Sequence, residues 1–247
     1  MNSETDNATV AKTIADQTYR HLRRDIISGA LPPGSKLAME MLTQRYNVGL
    51  SPLREALVKL TGDALAVAEG QRGFWVSQIS PEELQDTMST RLLIETQALS
   101  LAIEKGGPEW ERAVKQAYDE LAALEESRKR DDAATLARWE SANRRFHEAL
   151  VSACGSKWLL RLRGMLHYHS ERYRMISQAE AGADVHDEHE ALLEAALARK
   201  APRACRLIEL HMQRTTAVVR AALEGRDEEG PSNAKKRGNS RRTNKRS

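Results

Sequence analysis

The stretch Leu42-Thr43-Gln44-Arg45-Tyr46-Asn47-Val48-Gly49-Leu50-Ser51-Pro52-Leu53-Arg54-Glu55-Ala56-Leu57-Val58-Lys59-Leu60 decides the fold. A short helix from about Met39 ends at Tyr46, and Asn47-Val48-Gly49-Leu50 makes a tight connection. A second helix is predicted to open at Ser51-Pro52, because serine caps a helix well and the fixed φ of proline suits the first helical position. Two helices joined so closely make a helix-turn-helix. Upstream, Val10 to Ser28 reads as a helix with Ile14, Thr18, Leu22 and Ile26 on one face, ended by Gly29 and Leu31-Pro32-Pro33-Gly34. Downstream, Leu65-Ala66-Val67-Ala68 and Phe74-Trp75-Val76 flank Glu69-Gly70-Gln71-Arg72-Gly73, two apolar runs around a glycine-rich turn that predict a β-hairpin. Residues 10–78 therefore read as a winged helix-turn-helix preceded by a loose arm, 1–9.

Beyond it the period is helical only. Ser80-Pro81-Glu82-Glu83 is a helix start with acids in its first turn. Helices are expected over 81–105, 108–130, 132–153, 157–178, 184–199 and 201–224, broken at Gly106-Gly107-Pro108, Asp131-Asp132, Gly155-Ser156, Ala181-Gly182 and Lys200-Ala201-Pro202. Six helices on short loops imply an antiparallel bundle over 79–224. The fold class is mostly α, with one small hairpin. Residues 225–247 are Gly, Ser, Asn and basic residues, and read as a disordered basic tail.

The chain has 247 residues, 40% apolar, 30% charged and 4% aromatic. That composition excludes collagen-like and low-complexity classes. No run of 18 apolar residues suggests a membrane span, and the polar N-terminus lacks a secretory signal. Cys154 and Cys205 make no disulfide framework and no CxxC occurs, which points to the reducing cytosol. The net charge is +3, but seven basic residues fall in 231–247, leaving 31 basic against 35 acidic residues before it. Residues 10–76 hold nine basic and six acidic residues. Basic ends suit a polyanion partner, and an acidic middle does not.

In a helix-turn-helix the second helix enters the major groove by its N-terminal end, which here offers Ser51 and Arg54. Arg54 suits a bidentate contact with guanine, and Ser51 a phosphate or base edge. Arg45 lies at the end of the preceding helix, near the passing DNA backbone. The turn places Arg72 at the neighbouring minor groove, and Gly73 permits close approach. Arg54, followed by Glu55, also suits a solvated helix face, and such a unit can mediate protein–protein contact instead.

Residues 18–76 resemble the winged helix-turn-helix of GntR-family transcription regulators. The matching residues are Tyr19-Arg20, Leu22, Ile26, Gly29, Leu31, Pro33-Gly34, Leu37, Leu42, Tyr46, Val48, Pro52-Leu53-Arg54-Glu55-Ala56-Leu57, Leu60, Arg72-Gly73 and Val76. The resemblance implies dimeric binding to double-stranded operator DNA, with Arg54 as a base contact. Gly49 and Leu50 stand where the family usually has serine and often arginine, so a contact of that family is missing here.

Residues 81–224 resemble the helical effector-binding and dimerisation domain, FCD, of the FadR-type subgroup. Arg91-x-x-Ile94-Glu95, Phe146-His147-x-x-Leu150, His189-x-x-Leu192-Leu193-x-Ala195, Ala204 and His211 carry the likeness. Asn143 and His147 share a helix face, and a bundle can gather histidines from three helices around one interior point. Imidazoles suit a divalent metal ion such as zinc or nickel. The resemblance assigns that metal to His147, His189 and His211, with Asn143 where the related domains carry aspartate. It implies a small carboxylate effector held partly by the metal. An anion also wants a cation, and Arg91 is the first choice, although a salt bridge to Glu95 accounts for it equally well. Arg172, Tyr173 and Arg174 are further candidates. His186 reads as surface or as an outer neighbour of the site, and His167 and His169 stay unassigned.

Within the subgroup, Gly49, Gly106-Gly107-x-Glu109-Trp110-Glu111 and Cys154-Gly155-Ser156 are similar to the CsiR (GlaR) repressor branch, associated with glutarate and related C5 dicarboxylates. The expectation is a homodimeric transcription regulator of the repressor type, and not an enzyme. A metal-dependent hydrolase is the first rival, but no nucleophile motif appears and Glu148 and Glu190 face away from the histidines. A helical interaction module without DNA reading is the second.

Overall fold

The structure is a computed structural model and describes residues 13–126, 133–177 and 185–228. The chain divides between Ile79 and Ser80 into two compact units.

In the first unit, Thr13 caps α1 (Ile14–Ile27), its hydroxyl accepting from the Asp16 amide at 3.1 Å. The buried face is Ala15, Thr18, Leu22 and Ile26. Ile14, expected on that face, is 62% exposed: it is the first residue of the helix, and Ala15 takes the inward position. The helix begins four residues later than Val10, and the arm 1–9 lies outside the described residues. α2 (Met39–Tyr46) ends on Asn47 at φ 49°, a left-handed conformation that asparagine tolerates.

α3 (Leu50–Gly62) starts two residues earlier than its sequence predicts. Gly49, not Ser51, is the cap, and Ser51 and Pro52 lie inside the first turn. Proline fits there because first-turn N–H groups have no intrahelical acceptor. Leu53, Ala56, Leu57 and Leu60 follow i, i+3, i+4, i+7 and are fully buried against Leu22, Ile26 and Leu42. β1 (Ala66–Ala68) and β2 (Phe74–Val76) pair antiparallel, Val67 opposite Trp75, around a 3-10 turn at Gly70–Arg72. The 34–37 segment lies along the other edge of β2, with Leu37 N–H on the Phe74 carbonyl at 2.8 Å and Val76 N–H on that of Ser35 at 2.9 Å. Gly34 turns the chain there at φ 71°, and a Cβ would meet the Gln78 amide at 2.3 Å.

The second unit is helical. It comprises α4 (Pro81–Lys105), α5 (Pro108–Glu126), α6 (Ala133–Val151), α7 (Lys157–Ser177), α8 (Val185–Leu197) and α9 (Ala201–Glu228). Ser80 caps α4, accepting from the Glu83 amide at 3.1 Å. α4 packs on α6, α7 and α9, and α5 packs on α6 and α8. α9 runs past residue 224, so the first residues assigned to the tail are helical, and 229–247 lie outside the described residues. The ends predicted for the second and third bundle helices, around 127–132, lie outside them too.

The bundle interior is apolar along Ala98, Leu99, Ala102 and Ile103 of α4 and along Trp110, Leu121, Phe146, Leu192 and Ile208 of other helices, with a group of charged and polar side chains buried among them. The residues that α7 buries include Arg163, His167, His169, Ser170, Glu171, Arg172 and Tyr173. Burying that many charged and polar groups costs free energy unless each is paired or a ligand completes the set.

Candidate DNA interface and buried histidine–arginine site

On the first unit, the outer face of α3 exposes Leu50, Ser51, Arg54 and Glu55, opposite its buried leucines. Arg54 makes no ion pair among the described residues. Arg45 is already engaged, donating to Asp25 at 2.6 Å, and the same carboxylate oxygen accepts from the Tyr46 hydroxyl at 2.6 Å. Arg72 is exposed in the turn, and Gly73 at φ 109° holds a conformation that other residues resist. Sequence reasoning missed Lys36, whose ammonium lies 5.3 Å from the Trp75 ring centroid on the wing.

In the second unit, α6, α8 and α9 bring His147, His189 and His211 together. Ring centroids are 5.4 Å apart for His147–His189, 5.3 Å for His147–His211 and 4.9 Å for His189–His211. One ligand nitrogen from each lies within 4.8 Å of the others. His147 and His189 are buried, while the His211 side chain keeps 12% of its surface exposed. Asn143, one turn before His147, is buried as well.

Two carboxylates missed in the sequence fix the rings. His189 Nδ1 meets Glu125 Oε1 at 3.0 Å, and His211 Nδ1 meets Glu188 Oε2 at 2.8 Å. Burial would raise the Glu125 carboxyl, but bonds from His189, Trp139 and His186 outweigh it and hold the group below the usual carboxylate range. The His211 bond holds Glu188 low as well. Ionised carboxylates only accept, so each Nδ1 carries the proton and each Nε2 presents a lone pair. His186 also reaches Glu125, at 3.3 Å, and stays partly exposed. Glu188 further accepts from Arg214.

Burial, with repulsion from its cationic neighbours, drives His147 well below the ordinary imidazole value. Burial lowers His211 to about 4, although Glu188 opposes the shift. Neutral imidazoles are the form that binds metal. His189 Nε2, His147 Nδ1 and Asn143 Oδ1 are buried without a hydrogen-bond partner among the described residues. Orphaned lone pairs gathered this way fit a divalent cation. His147, His189 and His211 would hold it, with Asn143 as the neutral fourth donor.

Beside this set sits a group of donors. Arg91 is buried, with Nη1 donating to Ser170 Oγ at 2.6 Å, Nη2 on His167 Nδ1 at 3.0 Å and Nε 3.5 Å from Glu95 Oε2. Both readings of Arg91 thus have physical ground: it pairs with Glu95 and lies inside the bundle. Burial lowers its pKa to about 10. Arg172 and Tyr173 are buried too, but the Tyr173 hydroxyl is committed to Glu83 Oε2 at 3.0 Å and to the Ser80 amide at 3.3 Å, at the start of α4. Arg174 pairs with Glu140 through two bonds of 2.9 and 2.7 Å, which leaves it poorly placed to take a ligand.

A helix-turn-helix with an exposed arginine on one unit and a buried histidine cluster on the other are the parts expected of a ligand-responsive transcription regulator. Residues 14–76 match the family described as bacterial regulatory proteins, gntR family, and residues 86–214 match the FCD domain. The chain belongs to the GntR family and carries an FCD effector domain; its relatives are transcription regulators, not enzymes. It is 39% identical over 211 residues to the transcriptional regulator BphR of Paraburkholderia xenovorans, covering 85% of this chain and 86% of that one. It is 38% identical over 215 residues to the transcriptional repressor GlaR of Escherichia coli, covering 84% and 96%. The solved structure of E. coli McbR/YncC shares the fold, with a TM-score of 0.70 at 20% identity over 84% of this chain and 97% of that one.

Proposed function

We propose that this DNA-binding regulator is a homodimeric repressor released by a small carboxylate bound at a divalent metal in the helical unit. The observation that carries the reading is the sorting of orphaned polar atoms. Lone pairs from His189, His147 and Asn143 suit a cation, and the buried arginines near them suit an anion. A metal there would supply a Lewis-acidic contact for one carboxylate oxygen. His147, His189 and His211 would orient it, and Arg91 would bind the anion within the bundle.

A C5 dicarboxylate such as glutarate is the effector we favour, from the likeness to the repressor branch described above. Repression is supported by the name of the relative GlaR. Two-fold symmetry in a homodimer would match a pseudo-palindromic operator. We assign Ser51 and Arg54 to the major groove, Arg72 and Gly73 to the minor groove, and Arg45 to the backbone. Release follows from linkage: a ligand that prefers the DNA-free form must weaken DNA binding by the same factor. We place the protein in the bacterial cytoplasm at the nucleoid, with the basic 231–247 segment adding salt-sensitive affinity.

The test is metal analysis of the purified protein followed by melting curves with a panel of dicarboxylates, since a ligand of the folded state raises Tm. About one metal per chain and a shift abolished by His189→Ala are expected. No metal and no shift would overturn the metal–carboxylate reading.

A further inference from the structure

The buried face shared by α4 and α7 contains a charge imbalance. Arg91 and Arg163 are 4% and 2% exposed, and Glu95 is the carboxylate placed between them. Arg163 Nε donates to Glu95 Oε1 at 3.0 Å, and Arg91 Nε stands 3.5 Å from Glu95 Oε2, too far for a hydrogen bond. Two guanidiniums against one carboxylate leave one positive charge in a low-dielectric interior, where an uncompensated charge is costly.

The hydrogen bonds point the same way. Arginine can only donate, so His167 Nδ1 must accept from Arg91 and the His167 proton sits on Nε2. Burial and the neighbouring arginines keep that ring neutral. His167 Nε2–H and Arg163 Nη2–H lack a hydrogen-bond partner among the described residues, and Arg91 Nε–H has only its 3.5 Å ion pair with Glu95 Oε2. Arg163, His167 and Ser170 follow i, i+4, i+7, so they share one face of α7. A surplus of buried donors with one surplus positive charge is the complement of a carboxylate.

We propose that Arg163 and His167 form a second carboxylate anchor in the bundle, separate from the histidine-metal side, and that Glu95 limits that anchor to one negative charge. This rests on the effector reading and deepens it. The ligand class becomes a short dicarboxylate, one group on the metal side and the other on Arg163 and His167. A monocarboxylate fills one anchor only.

Calorimetric titration of the full-length, zinc-loaded protein tests this, with glutarate and succinate as dicarboxylate probes and butyrate as the monocarboxylate. Glu95→Gln adds a net positive charge to the anchor and should tighten glutarate binding about tenfold. Arg163→Gln removes one and should weaken it at least tenfold. The double variant, back at the original charge, should return most of the way to wild type. Arg163→Lys keeps the charge and loses the fork, so it should fall between, and it guards against a folding failure of the glutamine variants. Melting curves without ligand monitor the fold of each. Equal glutarate affinity in wild type, Arg163→Gln and Arg163→Lys, or weaker binding in a folded Glu95→Gln, overturns this inference and leaves the effector reading intact. If neither wild type nor Glu95→Gln binds either dicarboxylate, both fall.

Discussion

Glu125 on α5 accepts a hydrogen bond from Nδ1 of His189 on α8 at 3.0 Å, and that contact decides which nitrogen of His189 faces the histidine cluster. With the proton held on Nδ1, the Nε2 lone pair is available, and the carboxylate makes it more basic. Glu125→Gln keeps the shape, removes the charge and frees the tautomer. Metal affinity should fall about 10- to 100-fold, as such outer partners commonly contribute. Competition with a chromophoric chelator measures it. An unchanged constant would mean that Glu125 serves only Trp139 and His186.

Asn143, buried one turn before His147, offers a neutral amide oxygen. Asn143→Asp adds a buried negative charge beside a divalent cation, so metal affinity should rise by about tenfold or more. Without metal the same carboxylate is buried and unpaired. The variant should therefore melt below wild type when metal-free and above it when loaded. A matched pair of melting curves checks the crossing.

The metal-free protein should also lose stability in acid. An unfolded histidine takes up its proton near pH 6.5, whereas folded His211 stays neutral down to about 4 and His147 is depressed as well. Between those values the unfolded chain binds more protons, so stability is full above pH 6.5 and declines as pH falls toward 4. His211 alone accounts for on the order of 3 kcal/mol at the lower end. Glu125 and Glu188, held below their ordinary values, add a further loss at lower pH. Urea midpoints from pH 7.5 to 4.5 should fall steadily, and His211→Gln should flatten the slope.

Much of this was legible in the sequence, for reasons that differ by element. α4 spans Pro81–Lys105 as its serine cap, first-turn proline and closing Gly106-Gly107-Pro108 predict, because those signals are local. The start of α3 differs because Ser51-Pro52 mimics a cap two residues too late, while Gly49 fills that role without a side-chain bond. The three histidines were found through family spacing. Glu125 and Glu188 were not, since a glutamate on an amphipathic helix usually reads as solvated, and their partners come from other helices. The same holds for Arg163 and His167. Arg91-x-x-x-Glu95 looked like a simple helix pair until α7 supplied the third and fourth members across the interior.

The DNA surface separates arginines that look alike in sequence. Arg54 is exposed on α3 with no ion pair among the described residues, so a guanine edge is open to it. Arg45 is held by Asp25 at 2.6 Å and must give up or share that bond to reach a phosphate. Arg54→Ala should therefore cost about 1–3 kcal/mol against the operator and relax discrimination at one base position. Arg72→Ala should weaken all sequences alike and lower the salt slope by about 1. Arg45→Ala should do less than either, because its charge is already neutralised. Fluorescence anisotropy on operator and scrambled duplexes, each over a range of salt, distinguishes the three. A large, sequence-selective loss from Arg45→Ala would move the base contact from α3 to the end of α2.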